Sequence, residues 1–263
     1  MKKLVLFYGC MIGMLAAQTR ASAQILRKVI PDKLVVLTFD DAPKSHFTFV
    51  GPLLKKYGFA ATFYVCEFPP DYADTTKYMS WLQIKQLSDW GFEIANHTHH
   101  HAHVNKLKKE ALEAELNYIE NKCDSLKMPK PRSFAYPGYA TSVNASTTLE
   151  EMHYATARIG GDSVFNPLQD NPYYIPSFST AGTDKQKVLD FIKLAKDGNI
   201  VVLTVHGVPD LPHPWVNTPP ELFEEYLIYL KKNNYKVISM KGLLKYIRIK
   251  EAKKLPIPLS IKS

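Results

Sequence analysis

Short runs rich in valine, isoleucine, leucine and aromatic residues recur along the chain, and most are followed by a stretch whose apolar residues return every three or four positions. The runs predict strands over 34–39, 60–66, 92–96, 133–136, 154–158, 173–178, 200–206 and 235–239. The helical periodicity predicts helices over 47–57, 80–90, 105–123, 144–152, 184–197, 219–233 and 240–248. Strands that alternate with helices belong to the α/β class with a parallel sheet, not to a sandwich. The span is too long for two or three βα units and suits one distorted (β/α) barrel with a single core. The stretch 159–183 is the least regular, with Gly160-Gly161, Asn166-Pro167 and Asn171-Pro172 as turn signals, and is the place where the barrel is expected to distort or open. Residues 249–263 carry Lys250, Lys253 and Lys254 and two prolines, and read as a peripheral basic tail without chemistry. There is no internal repeat and no low-complexity linker.

The first residues depart from this pattern. Met1-Lys2-Lys3, an apolar run from Leu4 to Ala17 and the small residues Ala21-Ser22-Ala23 form the three parts of a secretory signal, so residues 1–23 are assigned to a leader and 24–248 to a catalytic domain. The run is too short for a good membrane span, and no later stretch is apolar enough to make one, so stable membrane insertion is not expected. Export to a periplasm or to the outside of the cell is. The leader takes Lys2, Lys3 and Arg20 and no acid with it, so the formal net charge falls from +8 to +5. The remaining lysines are spread over helical stretches such as 106–109 and 231–232 and read as solvated faces, so no nucleic-acid partner is expected. After cleavage only Cys66 and Cys123 remain, free to pair in an oxidising compartment or to stay as two buried thiols. Nothing in the sequence fixes an oligomeric state.

Four clusters carry chemistry. Thr38-Phe39-Asp40-Asp41-Ala42-Pro43 puts two acids at the end of an apolar strand, where barrel enzymes gather their catalytic groups. One carboxylate there can bind a metal while the other takes a proton, although a turn cap would also explain an aspartate before Ala42-Pro43. Asn96 to His103 holds five histidines in seven residues. A surface position accounts for one histidine but not for five. His97 and His101 are four apart and project to one side of a helical turn, as do His99 and His103, so spacing leaves the ligand pair open. In Arg132-Ser133-Phe134-Ala135-Tyr136-Pro137-Gly138-Tyr139 an arginine leads a short strand and a glycine ends it. Arg132 can hold a pocket carboxylate ionised, Gly138 lets a backbone N–H approach an oxyanion, and Tyr139 stands beside it as a substrate contact. Finally, 200–206 is a buried-looking strand ending in His206, a side chain suited to donating a proton near neutral pH.

With these residues in place, the chain resembles the NodB-like polysaccharide deacetylases, a family of metal-dependent carbohydrate esterases, over roughly Leu34 to Leu244. Thr38 to Pro43 matches the family's Thr-Phe-Asp-Asp-Gly-Pro with Ala42 in the glycine's place. His97-Thr98-His99-His100-His101 matches His-Ser/Thr-x-x-His, Arg132 to Pro137 matches the third motif, and Leu203-Thr204-Val205-His206 matches Leu-x-x-His. The resemblance implies a barrel of the NodB type and a divalent metal, best zinc, on Asp41, His97 and His101. It further implies Asp40 as general base and His206 as general acid, with Arg132 and Gly138 as catalytic partners and Leu203 lining the acetyl pocket. The family's tryptophan and aspartate that orient the acid histidine have no clear match; Asp162 and Asp184 are the candidate acids and Trp215 a candidate aromatic wall. The implied activity is removal of acetyl groups from an N-acetylated glycan of peptidoglycan or chitin type. An O-acetyl xylan esterase and a carbohydrate-binding protein without catalysis are the alternatives.

Overall fold

The computed structural model describes residues 29–68 and 70–258. The leader assigned to 1–23 and the last five residues of the tail lie outside them. Eight parallel strands occupy the places the apolar runs predict: β1 Leu34–Phe39, β2 Thr62–Val65, β3 Glu93–Asn96, β4 Ser133–Ala135, β5 Thr156–Gly161, β6 Ile175–Ser179, β7 Val201–Val205 and β8 Lys236–Ile238. The first seven close into a ring, because β1 pairs with β7 on one side and, through Thr38 and Phe39, with β2 on the other. β8 pairs with the first half of β1, so it occupies the side on which β2 pairs with the end of that strand. This is a distorted (β/α) barrel.

Period-2 alternation sorts side chains between two layers. In β1, Leu34 and Val36 join the barrel interior with Tyr64, Ala95, Ala135 and Val202, whereas Val35, Leu37 and Phe39 join the core under the surrounding helices with Leu54, Ile84, Leu87, Ile192 and Phe223. The helices that cover the sheet include Gly51–Tyr57, Trp81–Asp89, Lys109–Ser125, Val143–Glu151, Lys185–Lys193 and Pro220–Lys232. Their starts are set by side chains: Ser80 and Gln83 form a capping box, and Ser142 and Asp184 accept N–H groups from Ala145 and Lys187. Five residues of π-helix, His46–Val50, precede Gly51–Tyr57.

Two expectations about the periphery change. The irregular stretch does not open the barrel: β5 runs on to Gly161 and still pairs with β6, and the distortion is a register shift between Arg158 and Gly161. The tail is tied down at its start, where Ile249–Ala252 forms a helical turn and the Asn171 amide donates to the carbonyls of Lys253 and Leu255. Cys66 and Cys123 are both buried and unpaired.

Candidate active site

At the carboxyl ends of the strands lies a cavity of about 330 Å³ lined by Asp40, Asp41, His97, His101, Gly138, Tyr139, His206, His213 and Trp215, among others. Alternation along β1 carries Asp40 to the barrel interior, where it meets Arg158 of β5. The Arg158 guanidinium, fully buried, donates to Asp40 Oδ2 at 2.5 Å, to Thr204 Oγ1 at 2.7 Å and to Ser177 Oγ at 3.2 Å. Asp40 Oδ1 is buried with no hydrogen-bond partner. One oxygen of this carboxylate is therefore anchored by a cation and the other is free.

Asp41 and Ala42 both have positive φ, 72° and 55°, which turns the chain sharply and swings the Asp41 carboxylate toward the histidine loop. Thr98 and His101 are also left-handed, and the loop is held by Ala102 N–H on Thr98 Oγ1 and by Thr98 N–H on Asn96 Oδ1. The result places His97 Nε2 at 3.3 Å and His101 Nε2 at 3.5 Å from Asp41 Oδ1, an oxygen that is buried and makes no hydrogen bond. Four-coordinate zinc with bonds of about 2.0–2.1 Å needs neighbouring ligands about 3.3 Å apart, so these separations fit such an ion. His97 Nδ1–H donates to Ala135 O at 2.8 Å, which leaves the lone pair on Nε2, the tautomer a metal ligand needs. Burial opposes ionisation of Asp41, but the adjacent His97 and the fields of His206 and His101 outweigh it and hold the carboxyl well below its usual range. Burial and the neighbouring His97 push His101 down to about 4, so it stays neutral at ordinary pH.

His206 faces Asp41 from the far side, Nε2 to Oδ2 3.8 Å. Its backbone carbonyl accepts from His46 Nε2 at 2.8 Å, and its own Nδ1 is buried without a partner. Gly138 has φ of +56°, a left-handed conformation that favours glycine, and a Cβ there would lie 2.6 Å from His103 Nε2, so His103 packs on this turn. The Tyr139 ring lies 5.7 Å from the Arg158 guanidinium. Trp215, 74% exposed, stands at the rim against His213, which in turn packs on Phe68 and meets Tyr78 Oη at 3.2 Å.

Three sequence expectations are corrected. Arg132 is exposed and lines a separate cleft at the start of β3 and β4, so it cannot reach Asp40; the arginine that does is Arg158. Leu203 packs in the core under the helices, because it shares parity with Val201 and Val205 and is opposite to Thr204 and His206, so it does not line the cavity. Asp162 accepts the Ser179 N–H and Asp184 caps its helix, so neither orients His206. The loop after β7 brings Trp215 to the cavity, as the sequence suggests. It also carries Asp210, buried, which accepts N–H groups from Gly207 and His213 and so folds the wall of the cavity.

At the carboxyl end of a closed parallel barrel, two histidines and a carboxylate converge in a group that could hold a metal ion. A sequence model of the polysaccharide deacetylase family matches residues 27–157, and the chain belongs to that family. It is 28% identical over 217 residues to a peptidoglycan-N-acetylglucosamine deacetylase of Bacillus cereus, covering 82% of this chain and 90% of the relative. It is 30% identical over 132 residues to a chitin deacetylase of Arthroderma benhamiae, covering 46% and 32%. Among solved structures, the carbohydrate-esterase domain of a multidomain xylanase from the hindgut metagenome of Trinervitermes trinervoides shares the fold, with a TM-score of 0.58 at 20% identity over 82% of this chain and 91% of that one.

Proposed function

We propose that the protein is an exported, zinc-dependent enzyme that removes acetyl groups from N-acetylglucosamine units of a peptidoglycan- or chitin-type glycan. The observation that carries this reading is the division of labour between adjacent acids: Asp40 has one oxygen fixed on Arg158 and one free, and Asp41 has an unpartnered oxygen 3.3 and 3.5 Å from two imidazole nitrogens. The named relatives supply the substrate class, and the leader pattern of residues 1–23 supports export.

Asp41, His97 and His101 would hold the ion, which supplies Lewis acidity to the acetyl carbonyl and to the attacking water. Asp40 Oδ1 takes the proton from that water as it attacks. Arg158 anchors the Asp40 carboxylate through Oδ2 and fixes the direction of Oδ1. The backbone N–H of Gly138, a residue that lines the cavity, is the donor assigned to the developing oxyanion. His206, from the opposite wall, gives a proton to the departing amine. Tyr139 and Trp215 offer ring faces to the sugar at the floor and the rim. Acetate and a free amino sugar leave.

Acetate release from N-acetylglucosamine oligomers, peptidoglycan and acetylated xylan, by metal-stripped protein with and without zinc, tests the proposal. Release from the first two that returns with zinc is the expected result. Release from xylan alone would make the enzyme an O-acetyl esterase, and none from any substrate would leave a glycan-binding protein.

A further inference from the structure

Of the five clustered histidines, His97 and His101 line the cavity and His103 packs on the Gly138 turn at its edge. His99 and His100 turn instead toward the helix Lys109–Ser125, where Glu115 and Tyr118 meet them. We propose that His99, His100 and Glu115 form a second site, for a borderline divalent metal ion such as zinc or nickel, on the outer flank of the loop that carries His97 and His101.

One donor atom from each of the three residues lies within 4.8 Å of the others. The Glu115 carboxylate is already aimed: Oε2 accepts the His100 backbone N–H at 2.8 Å and Oε1 lies 2.8 Å from His100 Nδ1. His99 is fixed just as firmly. Its ring stacks on Tyr118 with centroids 3.4 Å apart, and its Nε2 lies 3.2 Å from Glu67 Oε2. Glu67 is itself held by Trp81 Nε1–H at 2.7 Å and Tyr118 O–H at 2.8 Å. A neutral His99 that donates Nε2–H to Glu67 carries its lone pair on Nδ1, and a carboxylate behind an imidazole is the arrangement that orients a ligand histidine.

The two imidazole rings are in contact, centroids 3.6 Å apart, beside the Glu115 carboxylate. Two nitrogens and one oxygen are a zinc, nickel or copper set, with solvent in the remaining position. On binding, the His100 proton moves from Nδ1 to Nε2 by exchange with solvent so that Nδ1 presents its lone pair, and the His100–Glu115 pair opens by about half an ångström to the separation of neighbouring ligands. His100 is 52% exposed, so an ion reaches the site without entering the cavity.

The test is the number of zinc ions retained by stripped full-length protein after equilibrium dialysis, read by elemental analysis beside acetate release. Wild type is expected to retain about two ions, and Asp41→Ala about one with activity lost. His100→Ala and Glu115→Gln are each expected to retain about one ion and to keep activity; glutamine can still accept the His100 N–H, so it removes the charge and not the loop contact. Circular dichroism checks each fold. One ion in wild type and none in Asp41→Ala overturns the second site, as do two ions in both His100→Ala and Glu115→Gln. One ion that survives Asp41→Ala and disappears in His100→Ala upholds the second site and overturns the metal role of the cavity.

Discussion

At the scale of single residues, the fully buried Arg158 and the free oxygen of Asp40 separate two roles that adjacent acids leave entangled in sequence. Asp41→Ala is expected to abolish both zinc retention and acetate release, while Asp40→Asn keeps the ion and loses at least about 100-fold in kcat, the usual contribution of a positioned base; a variant Asp40→Asn with near-normal kcat would remove Asp40 from the mechanism. Arg158→Met leaves Asp40 as a buried charge with no cation, a change that costs about 3–5 kcal/mol, measurable as a lowered urea midpoint. The acids and His97, His101 and His206 were readable because they are dense clusters of chemistry at strand ends. Arg158 carried a weaker signal, a lone arginine in the middle of the apolar run Thr156-Ala157-Arg158-Ile159, which makes sense only if something inside the barrel neutralises it. Arg132 misled because it precedes its strand, and residues before a parallel strand sit at the end of the barrel away from the chemistry. The parity rule also shows why Leu203 misleads: His206 and Thr204 face inward, so the residue between Val202 and Thr204 must face the helices.

At the scale of elements, the site depends on two loops in strained or tightly tied conformations. Ala42 has φ of 55°, which costs a residue with a Cβ about 1–2 kcal/mol, whereas removing its buried methyl forfeits about 0.8 kcal/mol. Strain relief wins by a small margin, so Ala42→Gly is expected to stabilise the protein by under about 1 kcal/mol with acetate release retained; a loss of stability in chemical denaturation would show that the methyl contact dominates. In the loop after β7, the Asp210 carboxylate accepts two buried N–H groups and the Asp210 backbone N–H donates to Asn217 Oδ1. Asp210→Ala strands those two donors at about 1–3 kcal/mol each and frees the wall that bears His213 and Trp215. The expected signature is a raised KM with a smaller change in kcat, since Asp40 and Asp41 lie on a different element. Strands and helices were legible because period-2 and period-3.6 patterns report burial directly. The loops were not, since Asp210 and the left-handed residues 41, 42, 98 and 101 answer to contacts made across the barrel.

At the scale of the whole molecule, closure of the ring is what the element order alone could not give. A doubly wound open sheet uses the same alternation, and only the pairing of Thr38 and Phe39 with Thr62 and Phe63, beside a β8 that reaches no further than Val36, makes the barrel. That seam is where His46 sits, buried between the rings of Phe39 and Phe63 with its Nε2 on the His206 carbonyl. Burial outweighs that hydrogen bond and the fields of Asp210, Asp40 and Asp41, and brings its pKa from 6.5 down to about 4. A folded-state value below the unfolded one means that the unfolded chain takes up the proton first. His46 therefore costs no stability above about pH 6.5, and as pH falls from there toward 4 it withdraws on the order of 3 kcal/mol. Urea unfolding across this window should show wild type losing stability more steeply than His46→Gln, whose amide can still donate to the His206 carbonyl but cannot be protonated. Parallel curves for the two proteins would mean that the folded barrel accommodates a charged imidazole at its seam, and that the acid sensitivity of the fold lies elsewhere.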